Sequence, residues 1–208
     1  MVIFMENLYN RYPKLELIKS DIESAVNVLT TCAKNGNKIL VCGNGGSSAD
    51  SAHIVGELLK GFISKRPLTD EQKEKYLAFG SKGENLASEL QGGIPAIDLT
   101  AQSAILSAFS NDVCADTSYA QLVNAYAKEG DVLIGITTSG NAENVLRALI
   151  TAKANKMTTI LLTGGNGGKC KEFADVGIIA PENETYKVQE YHLPIYHCLC
   201  AMLEEEFF

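Results

Sequence analysis

The sequence predicts an α/β fold in which a doubly wound, five-stranded parallel sheet is flanked by helices. Short apolar runs alternate with longer stretches whose apolar residues recur at three- and four-residue steps, which is typical of strands alternating with amphipathic helices. The apolar runs, such as Asp131–Thr137, are continuous, as in strands buried on both faces. Glycine-rich turns end several of these runs. A parallel sheet with helices on both faces accounts for all three observations.

The strands and helices can be assigned in order from these patterns. The first predicted helix carries an apolar stripe that includes Leu15, Ile18 and Ile22, whose spacing matches one helix face. The strands are predicted over residues 38–42, 95–99, 131–137, 157–163 and 176–180. The helices are predicted at Leu15–Lys34, from Ser47 or Ser48 to about Gly61, at Ala101–Phe109, Tyr119–Lys128 and Ala142–Asn155, and from about Tyr186 to Glu206. In such a fold, ligands bind beyond the carboxyl ends of the strands.

The whole chain, residues 1–208, is expected to form one domain with extensions. Its 208 residues exceed the ~150 of an average domain by less than half. The residues from about 1 to 36 are predicted to form an N-terminal helical extension. Residues 64–93 interrupt the alternation of strands and helices with a charged cluster, Thr69–Lys75, and scattered glycines. This segment is predicted to be an insertion with one or two short helices.

The composition excludes several classes of protein. The chain has 18 basic and 25 acidic residues and a net charge of −7, which argues against a general nucleic-acid surface. No apolar run approaches the ~18 residues of a membrane span, and Met1–Arg11 contains Glu6 and Arg11 where a signal peptide needs an apolar core. The six cysteines form no CxxC pair, which predicts free thiols in a reducing compartment. We therefore expect a cytoplasmic protein with neither a nucleic-acid nor a membrane partner.

Two polar loops follow two predicted strands and precede helices. Gly43–Ser48 reads GNGGSS, and Thr137–Asn141 reads TTSGN. Glycines allow the backbone to approach a ligand closely, and a helix start presents unpaired N–H groups that bind anions. Each loop alone is also compatible with an ordinary tight turn or a capped helix start. Because both follow strands of one sheet, they are predicted to converge on one crevice and to bind a phosphorylated small molecule there.

Two further clusters carry side chains that can bind a metal ion or transfer protons. His53 and Glu57 are one turn apart on a predicted helix and so share one face, although such a pair is also common in surface contacts. The C-terminal helix carries Gln189 and His197, which a straight helix would hold ~12 Å apart. A bend at Pro194, ligands from different subunits, or a position of Gln189 ahead of the regular helix would bring both to one ion.

Taken together, these segments resemble the sugar isomerase (SIS) family, and within it the isomerases of heptose phosphates. The resemblance covers most of the chain. It rests on residues 42–58 (CGNGGSSADSAHIVGEL), Asn111-Asp112, 135–145 (GITTSGNAENV), 161–169 (LLTGGNGGK) and 189–197 (QEYHLPIYH). It implies an SIS domain with a flavodoxin-like sheet, and a homotetramer whose active sites lie between subunits.

The resemblance also implies roles for individual residues. The substrate contacts that it implies are Asn44, Gly45, Gly46, Ser47, Glu57, Asn111, Asp112, Thr137, Thr138, Ser139 and Gln189. The ligands that it implies for one Zn²⁺ in each active site are His53, Glu57, Gln189 and His197. Glu57 and His197 also match the acid–base pair of the family. Because a carboxylate bound to zinc is a weaker base, the ligand and base roles of Glu57 are alternatives or successive states.

The implied reaction is an aldose–ketose isomerisation, from sedoheptulose 7-phosphate to D-glycero-D-manno-heptose 7-phosphate, which supplies heptose for surface polysaccharides. The sequence departs from the family pattern at Thr137, where serine is usual, at Ala142, where another serine is common, and in its longer insertion. These differences leave a different phosphorylated sugar open as the substrate. Another alternative is a non-catalytic SIS scaffold that binds a bacterial replication initiator, although a scaffold has no physical reason to keep the complete set of polar ligands.

Overall fold

Five parallel strands form one sheet in the computed structural model, which describes residues 2–208. The strands are β1 (Ile39–Gly43), β2 (Ala96–Asp98), β3 (Val132–Thr137), β4 (Thr158–Thr163) and β5 (Val176–Ile179). Their order is β2-β1-β3-β4-β5, and every neighbouring pair is parallel. This is the doubly wound, flavodoxin-like order, so the predicted fold class is confirmed. Met1, where the predicted N-terminal extension begins, lies outside the described residues.

Helices cover both faces of the sheet. They are α1 (Val2–Arg11), α2 (Lys19–Lys34), α3 (Gly46–Leu59), α4 (Asp70–Leu77), α5 (Gly80–Glu89), α6 (Ser103–Phe109), α7 (Ser118–Tyr126), α8 (Glu143–Ala154) and α9 (Thr185–Phe207). The helices α1, α2, α3 and α9 pack on one face, whereas α7 and α8 pack on the other. Within residues 2–208, no helix combines the length and the apolar character that crossing a bilayer requires.

The sheet divides the hydrophobic core into two halves. Ile39 and Val41 of β1 join the half beneath α2, α3 and α9, whereas Leu40 and Cys42 join the half beneath α7 and α8. Successive side chains of a strand point to opposite faces, so a strand covered on both faces must be apolar at every position. This explains the continuous apolar runs of the sequence. The parallel pairing of β1 with β3 holds the carboxyl ends of these two strands side by side.

The structure differs from the predicted elements in three places, the first of which is α1, a separate helix within the predicted N-terminal extension. A 3₁₀ turn, Pro13–Ile18, precedes α2, with Pro13 at its start, where a backbone N–H is not needed. The helix predicted from Leu15 therefore begins at Lys19. The helix α9 continues through Pro194, where the sequence suggested a bend. The remaining boundaries agree within a few residues.

The insertion at residues 64–93 contains two short helices, α4 and α5, in agreement with the prediction of one or two. The start of α4 is fixed by reciprocal hydrogen bonds between the side chains and backbone of Thr69 and Gln72, a capping box. An antiparallel bridge between Pro67 and Gln91 closes the base of the insertion. The insertion therefore leaves and re-enters the domain at one place, just after α3.

A buried ion pair joins the base of the insertion to the end of α9. Arg66 and Glu204 are 0% and 3% exposed, and Arg66 Nε donates to Glu204 Oε1 at 2.7 Å. Arg66 also donates to the carbonyl oxygens of Leu58 (2.8 Å) and Glu57 (3.0 Å), in the last turn of α3. Burial raises the pKa of Glu204, but hydrogen bonds from the N–H groups of residues 62–64 and from Arg66 outweigh it, so this pKa lies below its usual value. The pair thus fixes the helical turn that carries Glu57.

Removing the charge of Glu204 should destabilise the protein strongly. In Glu204→Gln the Arg66 guanidinium stays buried without a counter-ion, so we expect the free energy of unfolding to fall by about 3–5 kcal/mol. The matched control, Glu129→Gln, breaks an exposed pair with Lys156 and should lower it by less than ~1 kcal/mol. Chemical denaturation measures both values. A loss in Glu204→Gln as small as that of the control would show that the pair does not stabilise this junction.

Candidate active site

The loops after β1 and β3 meet beyond the carboxyl ends of the two strands, as the sequence predicts. Between them lies an open cleft of about 340 Å³. Its lining residues are Asn44, Gly45, Gly46, Ser47, Ile136, Thr137, Thr138, Ala142, Thr185 and Gln189. The strands β1 and β3 are neighbours in the sheet although β2 lies between them in the sequence. The cleft is therefore at the switch point of the sheet, where open α/β folds bind ligands.

The first loop brings the N-terminus of α3 to the cleft. Gly45 has φ +56°, in the left-handed region that favours glycine, and α3 begins immediately after it. Gly46 lets the side-chain amide of Gln189 approach the backbone closely, because a Cβ there would occupy the position of this amide. The N-terminus of a helix carries partial positive charge and favours an anion beside it. This end of the cleft can therefore bind a phosphate without a charged side chain.

The second loop contributes hydroxyl groups to the same cleft. Thr137 and Thr138 line it, whereas Ser139 is exposed and uses its Oγ to accept the N–H of Asn141 at 3.3 Å. Gly140 has φ +67° and packs on the backbone of the glycine-rich loop that follows β4, where a Cβ would collide. Two of the three predicted hydroxyl contacts thus face the cleft.

A pair of side-chain amides joins the two loops. Asn44 Nδ2 donates to Asn144 Oδ1 at 2.8 Å, and Asn144 Nδ2 donates to Asn44 Oδ1 at 2.9 Å. The sequence analysis identified Asn44 but not Asn144, which lies in the first turn of α8. Both ends of the Asn44 amide are engaged, so this pair links the two loops beside the cleft.

Three of the four predicted zinc ligands contact one another where α3 meets α9. His53 Nε2 lies 3.1 Å from Glu57 Oε1 and 3.4 Å from His197 Nε2. The ring of Phe62 packs beside them, with its centroid 5.5 Å from that of His197. Burial and the adjacent His53 lower the pKa of His197, so its imidazole is neutral at pH 7. A carboxylate and a neutral imidazole this close can exchange protons with a bound molecule.

Gln189, the fourth predicted ligand, lies in the cleft and not in this cluster. It precedes His197 by eight residues on α9, a rise of ~12 Å along the axis, and the helix is continuous between them. Neither a helix break at Pro194 nor a position ahead of the helix brings the two side chains together. Over the described part of the chain, no group of three or more His, Cys, Asp or Glu side chains has the arrangement of a metal centre.

Two residues that the sequence analysis missed lie on the other side of His53, where Tyr196 contacts the ring and Asp50 contacts Tyr196. The Tyr196 hydroxyl, on a side chain only 1% exposed, lies 3.0 Å from His53 Nδ1 and donates to Asp50 Oδ1 at 3.3 Å. Asp50, His53 and Glu57 occupy positions i, i+3 and i+7 of α3 and share one face. That spacing could have revealed Asp50. Tyr196 lies on a distant helix, and no local pattern connects it with His53.

Asn111 and Asp112 lie outside the cleft. They occupy an exposed π-turn after α6, Ser110–Cys114, in which Asn111 Nδ2 donates to Asp112 Oδ1 at 2.8 Å. Neither residue is part of the lining of the cleft in its own chain. The structure of one chain therefore does not bring these two predicted sugar contacts to the other substrate contacts.

Comparisons with known proteins assign the family. Two family models, both described as SIS domain, match residues 102–203 and 4–75. The phosphoheptose isomerase of Aquifex aeolicus is 39% identical over 98% of this chain and 93% of its own. The chain belongs to the SIS domain family. This membership confirms the resemblance drawn from the motifs.

Solved structures of relatives have the same SIS fold. A phosphoheptose isomerase from Neisseria gonorrhoeae matches with a TM-score of 0.75 and 28% identity, over 98% of this chain and 96% of its own. A phosphoheptose isomerase from Francisella tularensis also matches with a TM-score of 0.75 and 28% identity, over 96% of this chain and 94% of its own. These relatives are isomerases by name, which confirms the prediction of an isomerase at the level of enzyme class.

His192 faces the interior of this SIS domain. It is fully buried, its Nε2 lies 3.3 Å from the carbonyl oxygen of Thr163, and its Nδ1 has no partner. Burial lowers the pKa of His192 to about 4, although the contact with the carbonyl opposes the shift. The imidazole is therefore neutral at physiological pH and serves the packing of α9 on the sheet.

Acid should destabilise the protein partly through His192. An unfolded histidine has a pKa of ~6.5, so between pH 6.5 and about 4 the unfolded state binds more protons and stability falls as the pH decreases. The loss across this range is about 3 kcal/mol. In His192→Gln, the slope of the unfolding free energy against pH should be smaller over the same range, as measured by denaturation at several pH values. An unchanged slope would contradict the assignment.

Proposed function

We propose that the protein is an aldose–ketose isomerase that converts sedoheptulose 7-phosphate to D-glycero-D-manno-heptose 7-phosphate. The proposal rests on the direct contact of Glu57 and His197 with His53, in a domain whose relatives are named phosphoheptose isomerase. Isomerisation requires a base beside the reacting carbons and an acid beside their oxygens, and a carboxylate next to a neutral imidazole provides both. A cytoplasmic location is supported by the six cysteines, all of them described and all free.

The proton transfers can be assigned to these side chains. Glu57 takes a proton from C1 of the ketose, which gives an enediolate, and returns it to C2. His197 donates a proton to the oxygen on C2 and accepts the proton of the hydroxyl on C1. One C–H bond breaks at C1, one forms at C2, and the carbonyl moves from C2 to C1, so no oxidant or reductant is consumed.

The cleft at the switch point is the proposed phosphate site. The N-terminus of α3 and the hydroxyls of Thr137 and Thr138 provide partial positive charge and donors there. This explains how a chain with a net charge of −7 can bind a sugar phosphate. The side-chain amide of Gln189 lies close to Gly46 and would contact the bound sugar.

Zinc belongs to the proposal as an ion that His53, Glu57 and His197 of one subunit would hold together with Gln189 from another copy of the chain. The chemistry of the donors supports this, because two imidazoles with a carboxylate are a ligand set that zinc favours. Glu57 Oε2 is buried and has no hydrogen-bond partner, which leaves an acceptor that a cation would satisfy. When bound, zinc supplies Lewis-acid polarisation of the substrate carbonyl. Because a bound carboxylate is a weaker base, the two roles of Glu57 compete.

The complete site is proposed to form between subunits of a homotetramer. Within one chain, Gln189 is two turns away from His197, and Asn111 and Asp112 lie outside the cleft. The cluster around His197 adjoins a groove of about 350 Å³ between α1 and α9, whose rim includes the exposed apolar side chains of residues 63 and 193. A second subunit seated there would cover these side chains and bring its own cleft to the cluster.

Activity on a panel of ketose phosphates tests the reaction. We expect sedoheptulose 7-phosphate to yield the aldose, a chelator to lower the rate, and Glu57→Gln to lower kcat by about 10²–10⁴-fold, because the base is lost. The matched control is Glu190→Gln, an exposed glutamate on α9, which should keep full activity. Aldose formation is followed by NMR, and circular dichroism confirms that each variant folds.

Metal content separates the two roles of Glu57. If Glu57→Gln keeps its zinc but loses turnover, Glu57 acts as the base in the wild-type protein. If the variant loses both zinc and turnover, Glu57 acts as a ligand. Near-normal turnover in Glu57→Gln, or isomerisation of another sugar phosphate in preference to the heptose, would overturn the proposed assignment.

Mixing subunits tests whether the site is shared. We expect light scattering to give about four times the 22.4 kDa of the chain. Co-expression of Glu57→Gln with Thr138→Ala, each inactive or weak alone, should restore activity, because an intact cluster of one subunit meets an intact cleft of the other. A fully active monomer, or no recovery in purified mixed tetramers, would contradict the shared site.

A further inference from the structure

We propose that Asn144 is a positioning residue that holds the Asn44 side chain in the orientation that contacts a hydroxyl group of the sugar. The inference rests on the proposed function, in which the cleft binds a phosphorylated sugar. Asn44 lines that cleft and Asn144 does not, so Asn144 would act on the ligand only through Asn44.

A backbone group decides which way the Asn144 amide points. The N–H of Val145, in the first turn of α8, donates to Asn144 Oδ1 at 3.0 Å. A backbone N–H can only donate, so the oxygen of this amide and not its nitrogen must face it. The same oxygen has a second lone pair, which accepts Asn44 Nδ2 at 2.8 Å. The start of α8 therefore fixes the orientation of Asn144.

Asn144 in turn fixes the orientation of Asn44. Asn144 Nδ2 donates to Asn44 Oδ1 at 2.9 Å, so two hydrogen bonds of opposite direction join the two amides. A reversed Asn44 amide would place donor against donor and acceptor against acceptor. Asn44 is exposed and is followed by Gly45 and Gly46, and within residues 2–208 its amide has no other hydrogen-bond partner. The orientation of this side chain therefore depends on Asn144.

The pair leaves Asn44 one N–H and one lone pair for a ligand. A primary amide has two N–H donors and two lone pairs on its oxygen, and Asn144 engages one of each. A sugar hydroxyl donates and accepts, so it can pair with either remaining group, whereas a phosphate monoester dianion only accepts. The proposed phosphate site already has the N-terminus of α3 and the hydroxyls of Thr137 and Thr138. This chemistry assigns Asn44 to a hydroxyl of the sugar.

A double-mutant cycle tests whether Asn144 acts through Asn44. The Kd of sedoheptulose 7-phosphate is measured by calorimetry, with Glu57→Gln present in every protein to slow turnover. We expect Asn144→Ala to raise this Kd about 3–10-fold, because Asn44 must then be immobilised on binding. When Asn44 is already alanine, the same change should raise it by less than about twofold. The control Asn155→Ala removes an amide that bonds to the Thr151 carbonyl oxygen at the far end of α8, and it should leave the Kd unchanged.

Methyl phosphate distinguishes a hydroxyl contact from a general disturbance of the cleft. It carries the phosphate group of the ligand but no hydroxyl, so its Kd at pH 8 should change by less than about twofold in Asn144→Ala. An equal loss of affinity for both ligands, or an equal effect of Asn144→Ala with and without Asn44, would show that Asn144 only supports the loop and would overturn the inference.

The side-chain amide of Asn44 can also be observed without any ligand. In NMR of asparagine-labelled protein, its signals are identified by their loss in Asn44→Ala. We expect exchange of these amide protons with water to be slow in the wild-type protein and faster in Asn144→Ala. Equal exchange in both would contradict the positioning role. If the amide is held but the wild-type protein has no isomerase activity, the proposed function fails and the pairing of the amides stands.

Discussion

The parallel pairing of β1 with β3 determines where the cleft lies. Ile39 pairs with Val132 and Gly43 pairs with Ile136, so both strands end at the same edge of the sheet. Since the strand order reverses there, the two following helices diverge and leave a crevice between them. A register shift of one residue would exchange the side chains that β3 presents to the two halves of the core, and it would separate the two loops. Burial of both faces of the strands therefore also fixes the geometry of the cleft.

The helix α3 connects this cleft with the His53 cluster. Its 14 residues span about 21 Å, with the N-terminus at the phosphate site and Glu57 in the last turn. Both ends are fixed by residues outside the helix. Gly45 and Gly46 set the approach at the start, and the donors of Arg66 satisfy carbonyl groups that would otherwise lack partners at the end. Within one chain, the distance between the cleft and the His53 cluster is therefore set by a rigid helix.

The sequence predicts the fold and the loops well because their signals are local. Continuous apolar runs, helical periodicity and glycine-rich turns each depend on neighbouring residues. Asn144, Tyr196 and Arg66 were missed for the opposite reason. Their partners lie 100 or more residues away, as in the pairs of Asn44 with Asn144 and of Arg66 with Glu204, and no periodic pattern connects such positions.

The relation of Gln189 to His197 could not be settled from the sequence for a different reason. A helix fixes the distance between two of its own residues, and eight residues on a continuous helix give ~12 Å whatever the side chains are. Side chains so placed reach one small ion only if another copy of the chain supplies one of them. The exposed apolar side chains at the rim of the groove beside His197 independently favour a second copy of the chain, because such side chains are stabilised when a partner covers them. One subunit contact would meet both requirements, and activity would then depend on assembly.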